Sequence, residues 1–171
     1  MIVLMAGLPG TGKSTLARAL AVRTSAVVLD KDAVRAALFA TADIEYSTEQ
    51  DDFCQHVMLE TAAYVLRKDP SHIVFFDGRP FSRRYQIDQV LQTAAELKQP
   101  WRILECVCSE ETARLRIEAQ SGACEHPAAD RDYQLYLKVK AQFETITLPK
   151  TIIDTEQEVD LCVRLALAAL R

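Results

Sequence analysis

Short apolar runs alternate along the chain with longer segments in which apolar residues recur every three or four positions. The runs are apolar on both faces, as parallel strands inside a sheet are. The longer segments have the spacing of amphipathic helices. Strands that alternate with helices predict an α/β domain in which helices cover both faces of a parallel sheet. The predicted strands are residues 2–6, 26–30, 73–77, 101–108 and 150–154.

Polar residues of the type that begins helices precede most of the helical segments. Ser47 with Gln50, and Thr155 with Glu158, have the spacing of a capping box. Single capping residues are predicted at Ser109 and Asp130. The helices are predicted at residues 13–22, from Asp32 onwards, at 47–68, 87–97 and 109–120, from Asp130 through Phe143, and after Thr155.

Length and composition predict one domain over residues 1–171, with a hydrophobic fraction of 49% and a single sizeable core. The net charge of −4 argues against a nucleic-acid or membrane-surface protein. No apolar run of membrane-spanning length occurs. Five cysteines form no C-x-x-C pair, which predicts free thiols in the cytoplasm. Cys124 and His126 lack the further ligands that a zinc site needs.

The stretch "GLPGTGKST" lies between the first predicted strand and the first predicted helix. It satisfies the pattern G-x-x-x-x-G-K-[ST], whose glycines let backbone N–H groups converge on phosphate oxygens at a helix N-terminus. Lys13 would place its charge on the β- and γ-phosphates, and the Ser14 hydroxyl would bind Mg²⁺. The predicted nucleotide-binding residues are Gly7, Leu8, Pro9, Gly10, Thr11, Gly12, Lys13, Ser14 and Thr15.

Other motifs narrow the class of phosphate-binding protein. The N-K-x-D segment by which GTPases read guanine and the L-S-G-G-Q segment of transporter ATPases are both missing from the sequence. The chain is also too short to carry the extra domain of an oligomeric motor. The remaining class of phosphate-binding protein is a small phosphoryl-transfer enzyme.

Four motifs together resemble the small P-loop kinases: "GLPGTGKST", "LDKDAVR", "FFDGRPFSRR" and "EHPAADRDYQLYLKVKAQFE". Within this AAA-type ATP-binding group, the sequence is most similar to the branch of zeta-toxin kinases, chloramphenicol phosphotransferase, gluconate kinase and polynucleotide kinase. The resemblance implies a P-loop sandwich of three layers, with a five-stranded parallel sheet in the order 2-3-1-4-5. It also implies Mg-ATP as donor, a hydroxyl acceptor, and a small lid at about residues 114–131.

A carboxylate and an arginine follow the second strand, at the sheet edge where open α/β sheets bind ligands. Asp32 lies three residues before Arg35, as the base does in the similar kinases, which makes Asp32 the candidate general base. Arg35 would then hold the acceptor. Asp30, which ends the strand, is the competing candidate. Asp32 could instead cap the following helix, as its residue type favours.

Asp77 ends the third apolar strand, a setting typical of a residue that orients Mg²⁺ or its water shell. The alternative is a strand-end turn, because Asp-Gly is also turn chemistry. Arg79 and Arg83 follow and are candidate acceptor-binding residues, while at least one arginine of "RPFSRR" is expected to be merely solvated.

The lid should supply a cation to the charge that develops on the transferred phosphoryl group. The resemblance makes Arg131 the first candidate, with Arg114 and Arg116 as alternatives. Relatives often carry lid arginines where this chain has Gln120 and Ala123.

The sequence therefore predicts an ATP-dependent kinase of a small hydroxyl-bearing acceptor, anionic or polyhydroxylated. Arg35 and the "RPFSRR" cluster suggest that the acceptor end of the cleft is locally positive. The sequence leaves two alternatives open, a polynucleotide 5′-hydroxyl kinase and a nucleotide-dependent regulatory or toxin-like protein. The absence of a long basic track makes a nucleic-acid partner the weaker expectation, and the sequence does not indicate an oligomeric state.

Overall fold

Five parallel strands form one sheet at the centre of the molecule, whose computed structural model describes residues 1–122 and 133–171. The predicted strands are all present, and their ends differ from the prediction by one residue at most. The strands are β1 (Ile2–Ala6), β2 (Val27–Asp30), β3 (Val74–Asp77), β4 (Trp101–Val107) and β5 (Thr151–Asp154).

The sheet has the order β2-β3-β1-β4-β5, which confirms the predicted topology. Every neighbouring pair is parallel. In the register of β2 and β3, Asp30 lies opposite Asp77. The order therefore brings the loops after β1, β2 and β3 together at one edge of the sheet.

Helices cover both faces of the sheet. The described helices are α1 (Lys13–Thr24), α2 (Lys31–Leu38), α3 (Thr48–Lys68), α4 (Arg84–Glu96), α5 (Glu110–Gly122), α6 (Tyr133–Ala141) and α7 (Val159–Ala169), with a short 3₁₀ turn at Thr41–Asp43.

Strand β1 is buried on both faces, and its residues alternate between two layers of the core. Val3 and Met5 pack with apolar residues of α1 and α7, whereas Ile2 and Leu4 pack with apolar residues of α3 and α4. All five residues of β1 are fully inaccessible to solvent. The apolar run at the start of the sequence thus forms the centre of a three-layer sandwich.

Three predicted helix starts differ from the structure, and one of them is that of α4, which begins at Arg84 rather than at residue 87. The Asp30 carboxylate caps α2, where the sequence left open a cap at Asp32. The last helix begins at Val159, and Thr155 does not cap it because its hydroxyl donates to the carbonyl oxygens of Thr11 and Val107 instead. The Ser47 hydroxyl accepts from the backbone N–H of Gln50 as predicted.

The helices of the described part of the chain include none that is both long enough and apolar enough to cross a membrane.

Candidate active site

The phosphate loop runs from the end of β1 to the start of α1, and tight packing fixes its path. Gly7 has φ 128°, and a Cβ there would lie 2.3 Å from the carbonyl oxygen of Cys106 on β4. Only glycine fits such an approach without moving the backbone. Lys13, which is largely buried, donates from Nζ to the carbonyl oxygen of Leu8 at 2.7 Å, and so does the Thr11 hydroxyl.

Thr155 and Arg116 support this loop from the side of β5. The Thr155 hydroxyl lies 3.0 Å from the carbonyl oxygen of Thr11. Arg116 donates from Nη1 to the Thr155 hydroxyl at 3.0 Å and from Nη2 to the Thr155 carbonyl oxygen at 2.7 Å. Arg116 therefore lies beside the phosphate loop at Gly12.

Asp77 lies next to Ser14, at the end of β3. The carboxyl group is 1% exposed, and burial raises its pKa above the usual aspartate range, against the lowering effect of a hydrogen bond with Ser14. Its Oδ1 is buried and has no hydrogen-bond partner within residues 1–122 and 133–171. A buried carboxylate oxygen without a donor is a position that a cation can occupy.

The donor set around Asp77 fits a magnesium ion. The Ser14 hydroxyl and the Asp77 carboxylate are hard oxygen ligands, and Mg²⁺ in phosphoryl-transfer sites uses one or two such ligands together with phosphate oxygens and water. The part of the chain that the structure describes holds no group of three or more His, Cys, Asp or Glu side chains that could bind a metal. Cys124 and His126 lie outside the described residues.

Asp30 and Asp32 have different surroundings although both follow β2. Asp30 Oδ1 accepts from the backbone N–H groups of Asp32, at 2.9 Å, and Ala33, at 3.3 Å. Asp32 is 4% exposed, and its Oδ1 accepts from Arg35 Nη1 at 2.7 Å and lies 3.4 Å from Lys31 Nζ. Asp30 is thus engaged in capping, while Asp32 is a buried carboxylate held between two cations.

Gly78 connects the end of β3, at Asp77, with the end of β2, at Asp30. It has φ 81°, and a Cβ there would lie 2.8 Å from both Asp30 Oδ1 and the backbone nitrogen of Lys31. The backbone after Asp77 therefore touches the start of α2. This contact places the base candidate at the same sheet edge as the metal candidate.

The three arginines expected at the acceptor end differ in their environment. Arg35 and Arg79 are each 2% exposed. Arg79 donates to Gln55 Oε1 at 2.8 Å. Arg83 is part-exposed and donates to Glu144 and Gln142, both at 3.2 Å. The structure thus joins Arg79 to α3 and joins Arg83 to the segment that follows α6.

The candidate lid residues are only partly described. Arg131, the first candidate, lies outside the described residues. Arg114 pairs with Glu118 at 2.7 Å and lies over the ring of Tyr133. Of the two alternatives, Arg116 is the one that reaches the phosphate loop.

Comparison with known proteins identifies the family of the chain. A family model described as an AAA domain matches residues 2–145. The chain belongs to this AAA domain family. No curated protein sequence matches the chain.

Solved structures show the same fold as this AAA domain. A gluconokinase from Sinorhizobium meliloti is 18% identical, with a TM-score of 0.70, over 99% of this chain and 90% of its own. The APS kinase of Mycobacterium tuberculosis, solved with AMPPNP and APS, is 18% identical, with a TM-score of 0.72, over 99% and 96%. A kinase candidate from Chloroflexus aurantiacus is 20% identical, with a TM-score of 0.78, over 99% and 98%. The predicted resemblance to small P-loop kinases is confirmed for family and fold.

Sequence reasoning missed four polar residues of the AAA domain that contact the predicted site residues. Lys31 and Asp51 contact Asp32 and Arg35, and Asp52 and Gln55 contact Arg79. Lys31 is adjacent to the predicted base, so the acidic and basic pattern of "LDKDAVR" could have indicated it. The other three lie on α3, and only the packing of α3 against α2 and β3 brings them to the site.

Asp77→Asn is expected to stabilise the ligand-free protein against unfolding and to abolish Mg-dependent turnover of ATP. The substitution removes a buried charge whose Oδ1 has no donor among the described residues, a penalty of about 1–3 kcal/mol. Since burial raises the folded-state pKa of Asp77, this penalty is full at pH values above that pKa and is lost as the pH falls through it towards the unfolded pKa. Thermal unfolding at pH 7 and near pH 4 checks the stability, and ATP turnover checks the activity. A variant that is less stable at pH 7, or fully active, would contradict the assignment.

Proposed function

We propose that the protein is an ATP-dependent kinase that transfers the γ-phosphoryl group of Mg-ATP to a hydroxyl group of a small acceptor. One observation carries the proposal: a buried carboxylate, Asp32, lies beside Arg35 at the sheet edge that also holds the phosphate loop and Asp77. A pure nucleotide switch needs no such carboxylate beside an acceptor cleft. The kinase structures that share the fold support the same reading.

Each residue has a distinct task in the proposed reaction. The N–H groups of the phosphate loop and the Lys13 ammonium hold the donor phosphates. Ser14 and Asp77 would hold Mg²⁺, which would supply charge neutralisation when bound. Arg131, in the lid, is proposed to stabilise charge on the transferred group, with Arg116 as the alternative beside the loop. The residues proposed to bind the acceptor are those that the sequence predicts, Arg35, Arg79 and Arg83.

Asp32 acts as the general base in this proposal. It accepts the proton of the acceptor hydroxyl as the acceptor oxygen forms its bond to the γ-phosphorus. The bond between that phosphorus and the bridging oxygen breaks, and ADP leaves. Lys31 and Arg35 place two cations next to Asp32 in its buried position.

We also expect a cytoplasmic protein, because ATP is the donor and Cys54, Cys106, Cys108 and Cys162 are free thiols. The acidic chain makes a small acceptor more favourable than a nucleic-acid end, which would need many phosphate contacts.

A transfer assay with γ-labelled ATP tests the proposal. The protein is incubated with Mg²⁺, labelled ATP, a panel of small hydroxyl compounds and oligonucleotides with free 5′-hydroxyls. We expect the label on a small molecule, and no label when Mg²⁺ is chelated. Efficient labelling of the oligonucleotides alone would support the polynucleotide kinase instead. ATP binding without any transfer or turnover would support the regulatory alternative.

A further inference from the structure

The acceptor end of the site contains three cations and three carboxylates that pair with one another. We call this set the charge cluster. It consists of Lys31, Asp32, Arg35, Asp51, Asp52 and Arg79.

Each cation of the charge cluster has a carboxylate partner. Arg35 pairs with Asp32 at 2.7 Å through Nη1 and with Asp51 through Nη2. Lys31 lies 2.6 Å from Asp51 Oδ1, and Arg79 Nη2 lies 2.5 Å from Asp52 Oδ1. Among the described residues, the three cations and three carboxylates of the cluster therefore balance, although the sequence suggested a locally positive acceptor end.

The cations lie deeper than two of the carboxylates. The side chains of Lys31, Arg35 and Arg79 are 9%, 2% and 3% exposed, whereas those of Asp51 and Asp52 are 24% and 36% exposed. Tyrosine rings also cover the two guanidinium groups: Tyr46 lies 5.1 Å from Arg35, and Tyr85 lies 5.9 Å from Arg79, measured to the ring centroids. An incoming molecule therefore meets carboxylate oxygens and aromatic rings rather than guanidinium groups.

The exposed carboxylates have capacity left to accept hydrogen bonds. Asp51 receives both Lys31 and Arg35 on Oδ1, and within the described part of the chain no donor reaches its Oδ2. Asp52 Oδ2 accepts from the Tyr85 hydroxyl at 3.3 Å. A carboxylate offers about four lone-pair sites, so hydroxyl groups of a ligand could donate to both residues.

An anionic acceptor fits this arrangement poorly. It would add a negative charge next to carboxylates that already balance the cations of the cluster. Alternatively it would displace Asp51 or Asp52 from an arginine and so remove a charge-assisted hydrogen bond. A hydroxyl-rich, uncharged molecule can donate to the carboxylates and lay its apolar face on the tyrosine rings without breaking any ion pair.

Resting on the proposed kinase function, we infer that the acceptor is an uncharged polyhydroxylated molecule, whose hydroxyl groups donate to Asp51 and Asp52. Phosphorylation would then create the first anionic group on that molecule.

Sets of acceptors that share a carbon chain and differ at one charged group test this inference. D-Glucitol is compared with D-gluconate and D-glucamine, and glycerol with glycerate, in a coupled assay of ADP release and by mass spectrometry of the product. We expect kcat/KM for an uncharged member to exceed that for its anionic counterpart by about tenfold or more, because the anion disrupts a charge-assisted pair. Preference for an anionic or cationic member, or no labelling of any uncharged polyol, would overturn the inference.

Asp52→Asn provides a second, matched test. The change removes the charge that balances Arg79, so kcat/KM for polyols should fall by about 10- to 100-fold. The ratio of kcat/KM for the anionic acceptor to kcat/KM for its uncharged counterpart should rise. A purely structural role of Asp52 would lower both rates and leave the ratio unchanged, which would also overturn the inference. Asp88→Asn is the control, because Asp88 pairs with Arg84 at 2.7 Å on the exposed face of α4.

The assay separates failure of this inference from failure of the proposed function. If ATP turnover depends on Lys13 and an anionic acceptor is labelled, the kinase proposal stands and only the acceptor class is wrong. If Lys13→Ala changes no turnover and no acceptor is labelled, the kinase proposal fails, and the acceptor class fails with it.

Discussion

Lys13→Ala is expected to lower ATP turnover by about 10²–10³-fold or more, the range typical for loss of one preorganised electrostatic contact to the reacting group. The Lys13 side chain is 7% exposed in total, so its charge acts in a region where water screens little. The substitution also removes the hydrogen bond to the Leu8 carbonyl oxygen. Steady-state kinetics measure the turnover, and titration calorimetry measures the affinity for Mg-ATP.

Lys68→Ala is the matched control for this experiment. Lys68 lies in the exposed last turn of α3, over the ring of Tyr64. Its loss should leave both ATP affinity and turnover at the level of the unmodified protein. If Lys13→Ala behaves like this control, the phosphate-loop assignment is wrong.

Asp32→Asn should reduce phosphoryl transfer by about 10²–10⁴-fold, the usual contribution of a general base. Affinity for ATP should change little, because Asp32 contacts Arg35 and Lys31 rather than the phosphate loop. The Asn side chain keeps an oxygen that can accept from Arg35, so the local packing is largely preserved. Single-turnover transfer and calorimetric ATP binding, measured on the same preparation, separate the two effects.

Asp30→Asn serves as the comparison for Asp32→Asn. Asn is as good an N-cap residue as Asp, so the hydrogen bonds to the N–H groups of Asp32 and Ala33 can persist and activity should be nearly unchanged. If Asp30→Asn is the inactive variant, the base is Asp30. If both variants keep full activity, neither carboxylate is the base.

Much of the fold could be predicted because it depends on short-range patterns. Strand β1 is apolar at every position and lies at the centre of the sheet, so its run of five apolar residues was a sufficient signal. The phosphate loop could also be predicted from the sequence, because its glycines are required by backbone conformations that few other residues adopt. Strand order was implied only through the resemblance, since local patterns do not encode which strands pair.

The part of the charge cluster that α3 supplies could not be predicted, because the ion pairs of Asp51 and Asp52 join residues far apart in the chain. Asp51 lies 16 positions after Arg35, which it contacts, and Arg79 lies 27 positions after its partner Asp52. In the sequence, Asp51 and Asp52 look like ordinary acidic residues of a helical first turn. The helix cap at Asp30, where the sequence suggested Asp32, was also closed to pattern reasoning, because it depends on the extended backbone of Asp30.

The mutual pairing in the charge cluster has a consequence for redesign of this protein. Removal of one partner from a buried ion pair is typically destabilising by about 3–5 kcal/mol, whereas replacement of both partners can be neutral. Lys31 and Arg35 both donate to Oδ1 of Asp51. A change at any of these three residues therefore alters the charge balance of the other two. New acceptor specificities should therefore be sought with compensated double or triple substitutions, which keep the ion pairs matched, as well as with single changes.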